Sequence, residues 1–380
     1  MPKSKFNHVK IVGVTGVVPE HFINIDDEIE FFNNDPKLLE RNKKILGLGK
    51  RHIADDRTTN CDLCEAAAKD LIDALNIDKS TIDALIAISI SHDYHWPATS
   101  CILQGRLDLS NECSCFDISG LACSAYVHGL WLAHSLIASR AAKRVLIVAG
   151  DLNSLHSDRR NRNSNMLFGD AGTATLLEYT DEEENTAYFY TGTQGKDWDK
   201  LIAPAGGYAL PVRADIANIE IVDDKGNVWH LWDDLMKGFD VFKFATETGA
   251  KAISEILKYA NKTIGDVDYF AFHQANKQIV RSIAQHNNLP HEKWSTDAFS
   301  LYGNCSSASV VTDFCRHLRE KKSKTVCLSS FGVGLSWGVA LLNMANVYSN
   351  GIRTYKTPNG KMNRKEKIEY WISYYKGKSK

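Results

Sequence analysis

The chain has no long apolar run, and its first residues do not form the pattern of a secretory leader. No stretch of roughly 18 residues is apolar throughout, so the sequence predicts no membrane span. The segment "MPKSKFNHVKIVGVTG" passes from a short basic start directly into a strand-like run, unlike a signal peptide. We therefore expect a cytoplasmic protein with no membrane partner.

An excess of charge of one sign is also absent. The 380 residues include 45 Lys and Arg and 46 Asp and Glu, a formal net charge of -1 at pH 7. This balance gives no general attraction to nucleic acid, and we expect no nucleic-acid partner, although local basic patches remain possible. The nine cysteines are scattered and odd in number, which favours a reduced compartment over a disulfide framework.

Three pairs of Cys or His residues have spacings that also occur in metal sites. They are Cys61 with Cys64, Cys113 with Cys115, and His92 with His95. Zinc sites need three or four ligands at recognisable spacings, and no pair is followed by a suitable second pair. We expect no metal.

Apolar strand-like runs alternate with helical patterns along most of the chain. "IDALIAISISH" and "AKRVLIVAGD" have the composition of fully buried strands, and residues 122–140 that of a long apolar helix. Such alternation predicts an α/β protein with a largely parallel sheet that is covered on both faces.

The alternation of strand-like and helical segments, and the places where it stops, also predict how the chain is divided. Residues 1–180 form a first half, 181–232 form inserted loops and hairpins, and 233–350 form a second half. Residues 351–380 form a basic, aromatic tail, for which a solvated terminus is the default interpretation and a surface helix or a partner-binding tail are the alternatives.

The two halves repeat one arrangement of elements. In each, a buried strand leads to a small-residue turn, a helix and another buried strand: Cys123 lies 22 residues before Val145, and Cys305 lies 21 residues before Val326. This duplication predicts a five-layered αβαβα fold with two pseudo-symmetric halves and a site where the halves meet.

Three residues of this arrangement are candidates for chemistry. Cys123 begins a helix, where unbonded N–H groups and the helix dipole are expected to lower the pKa of its thiol. His273 ends a buried strand, and Asn304 lies on the turn before the matching helix. Each has an ordinary structural interpretation as a packed cysteine, a hydrogen-bonded histidine or a turn asparagine. Together they form a plausible set for acyl transfer.

At this point the chain resembles a known family. Seven segments in order, "GVTGVVPE", "GLGKRHIAD", "LACSAYVHGL", "LFGDAGTATLL", "HQANKQI", "YGNCSSASV" and "FGVGLSWGVALL", resemble the ketoacyl-acyl carrier protein synthases III, condensing enzymes of the thiolase superfamily. The resemblance implies the duplicated thiolase-like fold and a specialised-pathway member of the family.

The resemblance also implies roles for residues and partners. Cys123 would be the nucleophile, and His273 and Asn304 its catalytic partners, with the backbone N–H groups of Cys123 and Val333 as the oxyanion hole. The chain would act as a homodimer with no permanently bound cofactor. Its substrates would be coenzyme A or phosphopantetheine thioesters: an acyl-coenzyme A or acyl-carrier protein donor, then malonyl-acyl carrier protein, in a decarboxylative Claisen condensation.

The family's substrate-binding positions match this sequence only in part. Gly238, Phe242 and Asn276 correspond to residues that line the pantetheine tunnel, and Trp96 to the floor of the acyl pocket, usually reached across the dimer interface. Arg162 corresponds to an arginine that stacks on adenine, with Arg159 and Arg160 as competitors, whereas "KLLERNKKIL" has no tryptophan for that clamp. A donor carried by a protein, or an unusual donor, is therefore favoured.

The sequence leaves one other reaction open and disfavours two further functions. In the open alternative, the acyl group on Cys123 passes to a hydroxyl or an amine without decarboxylation, as in some relatives. A non-catalytic partner subunit is disfavoured because all three candidate residues are present. A hydroxymethylglutaryl-type synthase is disfavoured because no general-base glutamate can be placed.

Overall fold

The computed structural model of the chain describes residues 3–156, 158–161, 164–182, 185–224 and 226–377. Its strands are β1 (Lys3–Phe6), β2 (Val9–Pro19), β3 (Phe22–Asn24), β4 (Lys50–His52), β5 (Ala84–Ile88), β6 (Ser114–Ile118), β7 (Arg144–Asp151), β8 (Ala171–Tyr179), β9 (Ala187–Thr193), β10 (Leu201–Ile202), β11 (Ile221–Val222), β12 (Val228–Trp229), β13 (Leu235–Met236), β14 (Tyr269–Phe272), β15 (Thr325–Gly332), β16 (Ser336–Asn343) and β17 (Tyr348–Tyr355).

The α-helices lie between these strands and after the last of them. They are α1 (Pro36–Leu46), α2 (Asn60–Ala74), α3 (Thr99–Leu107), α4 (Ala125–Ala138), α5 (Ala214–Ala217), α6 (Gly238–Ala260), α7 (Lys277–His286), α8 (Asp297–Tyr302), α9 (Ser309–Glu320) and α10 (Arg364–Tyr375). Short 3-10 turns include Ile25–Phe32, Ala122–Ser124 and Ser306–Ala308. No helix in these ranges has the length and apolar character needed to span a bilayer.

Two main sheets carry the fold. The six-stranded sheet has the order β17-β2-β8-β7-β5-β6, and the five-stranded sheet has the order β1-β9-β16-β15-β14. Helices α4 and α9 contact both sheets, α2 covers the outer face of the first sheet together with α3, and α6 covers that of the second together with α7. These contacts confirm the predicted five-layered αβαβα architecture with its core on both sides of α4 and α9.

The prediction of a largely parallel sheet was wrong for the second sheet. There only β14 and β15 pair in parallel, whereas β15 pairs antiparallel with β16, and β16 with β9. The cause is chain connectivity, because β15 and β16 are joined by a three-residue loop, and a hairpin connection forces antiparallel pairing.

The structure also moves two of the predicted boundaries. Strand β9, from the segment predicted as an insert at 181–232, pairs with β16 along six residues, so it belongs to the second sheet. Residues 348–355 pair with β2 at the edge of the first sheet, and the rest of the tail contains α10. The alternating side chains of "AYFYTGT" have a strand period that the acidic residues before them obscured.

Candidate active site

The three residues singled out in the sequence meet at one cavity. Cys123, His273 and Asn304 all line a cavity of about 680 Å³ where the two halves of the fold come together. Cys123 follows β6, His273 follows β14, and Asn304 precedes the turn into α9. The carboxyl ends of parallel strands are where sites form in α/β folds, and each half contributes to this one.

Cys123 lies in the tight turn between β6 and α4. The turn is the 3-10 segment Ala122–Ser124, whose first residue has a left-handed φ of 45°. The Cys123 Sγ lies 3.9 Å from the Ser306 Oγ. A Cβ added to Gly332 would lie 2.6 Å from the Leu121 carbonyl oxygen and 3.1 Å from the Cys123 nitrogen, so only glycine lets β15 approach the Cys123 turn this closely.

Burial dominates the electrostatics of the thiol. The pKa of Cys123 is raised to about 12, chiefly by burial and in part by the nearby carboxylates Asp151 and Asp234, although the Ser306 hydroxyl lowers it. The expectation of a depressed pKa was therefore wrong. The reason is that a 3-10 turn precedes the α-helix, and the desolvation of a buried thiolate outweighs the helix dipole.

His273 presents a neutral imidazole to the cavity. Its backbone N–H donates to the Ser329 carbonyl at 2.8 Å, and its ring packs edge-on against Phe331 with centroids 5.2 Å apart. Burial lowers the pKa of His273 to about 3. Its Nδ1 is buried and has no hydrogen-bond partner among the described residues. A neutral ring can donate one hydrogen bond from a nitrogen without carrying charge.

Asn304 is fixed by both its backbone and its side chain. Its N–H donates to the Leu167 carbonyl at 2.8 Å, and its carbonyl accepts from the Gly169 N–H at 3.1 Å. The side-chain Oδ1 accepts from the Ser306 N–H at 2.9 Å. Because this bond engages the amide oxygen, the NH₂ group is the part of Asn304 that is free to donate to a ligand in the cavity.

A second turn in the other half mirrors the Cys123 turn. Ser306–Ala308 is also a 3-10 segment that leads directly into a helix, and Ser306 has a φ of 49°. Counted from the helix start, Ser307 holds the position of Cys123. Its hydroxyl donates to the Asp151 Oδ2 at 2.7 Å, within the core. Sequence reasoning missed Ser306 and Ser307, although "GNCSSAS" already marked this turn.

The predicted substrate-binding residues fall into two groups. Gly238, Phe242 and Asn276 line the cavity, and the Asn276 Oδ1 also caps α7 by accepting from the Ile279 N–H at 2.9 Å. Arg162 lies outside the described residues. Val333 is next to Gly332, which lines the cavity, and its carbonyl accepts from the Ser336 hydroxyl at 2.6 Å.

An apolar flap covers one side of the cavity. This flap is the 3-10 turn Ile25–Phe32 together with α1, and its residues Phe31, Leu38 and Leu46 line the cavity. A buried ion pair fixes the flap to the body of the protein, because Arg51 donates to Glu28 at 2.6 and 2.8 Å. The Arg159 guanidinium lies 5.9 Å from the Phe31 ring centroid and 3.5 Å from Glu28. None of the described residues that line the cavity is charged.

Trp96 does not lie at the cavity of its own chain. Its side chain is 70% exposed, on a loop where His95 lies beneath it, with ring centroids 5.4 Å apart. At the start of this loop, the His92 ring is hydrogen-bonded to the hydroxyls of Thr99 and Ser119 at 2.9 and 3.0 Å. Because the predicted contact of Trp96 with an acyl pocket is one across a dimer interface, it stays a prediction.

Comparisons with known proteins agree with this geometry. The family model described as 3-Oxoacyl-[acyl-carrier-protein (ACP)] synthase III matches residues 116–195, and the model of its C-terminal part matches residues 257–344. A putative 3-oxoacyl-[acyl-carrier-protein] synthase 3 of Campylobacter jejuni is 40% identical over 354 residues, 93% of this chain and 99% of the relative.

Two further relatives extend this result. A beta-ketoacyl-[acyl-carrier-protein] synthase III of Acholeplasma laidlawii is 32% identical over 88% of this chain and 98% of its own length. The crystal structure of a 3-oxoacyl-(acyl-carrier protein) synthase from Burkholderia xenovorans is similar with a TM-score of 0.83 at 33% identity, over 93% of this chain and 99% of that one.

Proposed function

Because the chain belongs to the 3-oxoacyl-[acyl-carrier-protein] synthase III family, we propose that it joins an acyl group held on Cys123 to a malonyl thioester. The chain is an acyl-transferring condensing enzyme with a thiolase-like fold. The observation that carries the proposal is the meeting of Cys123, His273 and Asn304 at one apolar cavity.

In the first half-reaction Cys123 takes the acyl group. Its sulfur, having lost its proton, attacks the carbonyl carbon of the donor thioester and forms a new C–S bond. The donor's own C–S bond then breaks, and the departing thiolate takes up a proton. Backbone N–H groups at Cys123 and Val333 would stabilise the oxyanion of the tetrahedral intermediate. The close approach of Gly332 to the Cys123 nitrogen supports this arrangement.

In the second half-reaction His273 and Asn304 act on the malonyl thioester. When its C–C bond to the carboxylate breaks, CO₂ leaves and the electron pair forms an enolate. The imidazole of His273 and the Asn304 NH₂ group would each donate a hydrogen bond to the enolate oxygen. The enolate carbon attacks the acyl carbonyl, and the Cys123 thiolate leaves with the β-ketoacyl product released. A histidine kept neutral by burial suits a donor that must not protonate the carbanion.

The donor and the assembly belong to the same proposal. A cavity whose described lining is uncharged supports an acyl-carrier protein donor over free coenzyme A, whose phosphates attract cations. We place a second copy on the outer edge of β6, where Phe116 is 39% exposed and Trp96 lies nearby on the surface, so that Trp96 reaches the partner's cavity. The cytoplasmic location stays a prediction.

The test separates the two half-reactions. We would measure Cys123 acylation from short acyl-coenzyme A and acyl-carrier protein thioesters, and CO₂ release from malonyl-acyl carrier protein. His273→Ala and Asn304→Ala should each lower CO₂ release and condensation by about 100-fold while acylation of Cys123 persists. Acyl transfer to a hydroxyl or an amine with no requirement for malonyl-carrier protein and no CO₂ would contradict the proposal.

A further inference from the structure

Helix α10 exposes an apolar face beside the body of the protein. None of its residues is buried, and Ile368, Trp371, Ile372 and Tyr375 are between 40% and 87% exposed. Their spacing places them on one face of the helix. With Leu155 of the body they line an open groove of about 870 Å³. Contiguous apolar surface of this kind marks an interaction site in a soluble protein.

Hydrogen bonds fix the start of the helix to the body of the protein, so the groove between them has a defined shape. The Asn363 side chain caps α10 by accepting from the Glu366 N–H at 3.0 Å. Lys367 Nζ donates to the Asp56 carbonyl at 3.0 Å. Just before the helix, Lys361 donates to the buried Asp62 carboxylate at 2.5 Å, and Trp371 packs edge-on against Tyr94.

Charge is distributed unequally around the helix. The groove is lined by the cations Arg364, Lys367 and Lys376 and by one carboxylate among the described residues, Asp56, whereas neither glutamate of the helix, Glu366 or Glu369, lines it. The tail as a whole is basic: residues 356–380 include eight Lys or Arg and two Glu. An apolar strip with cations beside it complements a helix that carries carboxylates beside its own apolar strip.

A chain of side-chain interactions leads from the wall of the groove towards the surroundings of Cys123. Leu155, in its wall, precedes His156, whose Nε2 lies 3.7 Å from the Asp234 Oδ1. Asp234 in turn is close enough to influence the Cys123 thiol. A protein that holds a thioester on a tethered arm must dock where the arm reaches the cavity. The proposal therefore requires that the arm of a partner bound on this groove reach the cavity.

We propose that the groove along α10 is a docking surface for an acidic amphipathic helix of the acyl-carrier protein. This inference rests on the proposed function for the identity of the partner. A second copy of the chain is the competing occupant, because the same apolar side chains could pack against another protomer.

The test compares groove substitutions with a matched substitution on the same helix. Lys376→Glu removes a groove cation, and Ile372→Glu places a carboxylate in the apolar strip. Lys365→Glu makes the same charge change as Lys376→Glu, but Lys365 lies outside the groove and its side chain is 85% exposed. We expect KM for malonyl-acyl carrier protein to rise about fivefold for Lys376→Glu and about tenfold for Ile372→Glu, with Lys365→Glu within about twofold of wild type.

Two further measurements keep docking apart from catalysis. Turnover of malonyl-pantetheine, which has no protein to dock, should be the same in all variants, and calorimetric titration with holo-acyl carrier protein should show the same order of affinity. Equal effects of Lys365→Glu and Lys376→Glu would overturn the proposal. So would a fall in molecular mass of Ile372→Glu by light scattering, because it would identify the groove as a contact between copies. If no malonyl thioester were turned over, the proposed function would fail, and the titration alone would decide the docking.

Discussion

The turns Ala122–Ser124 and Ser306–Ala308 occupy matching places in the two halves but present their central residues to different surroundings. Each begins with a residue of left-handed φ and leads into a central helix. The first presents the Cys123 thiol to the cavity. In the second, the Ser307 hydroxyl and N–H both donate to the buried Asp151 carboxylate. The same turn geometry thus places a thiol at the cavity in one half and a buried hydrogen bond in the other.

The largest expected effect separates the two turns by function. Cys123→Ala should lower condensation by at least about 10³-fold, because removing the nucleophile leaves only binding and oxyanion stabilisation. Ser307→Ala should retain condensation within about tenfold, since its hydroxyl donates to Asp151 and does not line the cavity. Both are measured as β-ketoacyl product formed per enzyme. Comparable losses in the two variants would contradict the division of roles.

A smaller effect is expected from the strand that lies against the Cys123 turn. In Gly332→Ala the added Cβ would have to displace the backbone of Leu121 or Cys123. Displacing a reacting group by about 1 Å can cost on the order of 100-fold in kcat/KM. Gly195→Ala is the control, because a Cβ at that position meets no atom within 4 Å. Activity of Gly332→Ala near that of Gly195→Ala would show that the turn does not need this contact.

The raised pKa of Cys123 should also determine how its alkylation rate depends on pH. With a pKa of about 12 for Cys123, the thiolate fraction rises about tenfold per pH unit throughout the neutral range. Alkylation by iodoacetamide, followed by peptide mass spectrometry, should therefore accelerate from pH 7 to pH 9 without a plateau. The Cys123→Ala protein gives the background from other cysteines. A plateau near pH 7 would mean that the turn depresses the pKa after all.

The smallest effect concerns stability in the second turn. Ser307→Ala leaves Asp151 without its 2.7 Å hydroxyl donor, and the loss of a buried hydrogen bond costs about 1–3 kcal/mol. Urea unfolding should show this decrease in the free energy of unfolding. Ser110→Ala is a suitable comparison, because its hydroxyl accepts only from the exposed Glu112 N–H at 3.1 Å. Equal free energies of unfolding for Ser307→Ala and Ser110→Ala would show that the Ser307 hydroxyl does not stabilise the fold.

Part of this account could be predicted from the sequence. The duplicated α/β architecture followed from the order of buried strands and helices, and Cys123, His273 and Asn304 were chosen because each lies at a strand-to-helix turn. Such residues are local features, and the carboxyl ends of neighbouring strands bring them together. The cavity-lining residues Gly238, Phe242 and Asn276 followed from the family resemblance.

The other features of the site depend on three-dimensional distances that the spacing of residues along the sequence does not encode. The repeat suggested that Cys305 matches Cys123, yet the structure places Ser307 there, because the segments between turn and strand differ in length. The pKa of Cys123 depends on burial by both halves, which a local helix argument omits. The hydrogen bonds of His92 to Thr99 and Ser119, at the start of the Trp96 loop, likewise depend on the fold.

The most direct test of the central claim is to identify the residue that becomes acylated. The protein would be incubated with a panel of short acyl-coenzyme A and acyl-carrier protein thioesters, digested at low pH and analysed by peptide mass spectrometry. We predict one acyl group on the peptide that contains Cys123, absent from Cys123→Ala and retained in Ser307→Ala. An acyl group on another residue, or equal labelling of wild type and Cys123→Ala, would contradict the account.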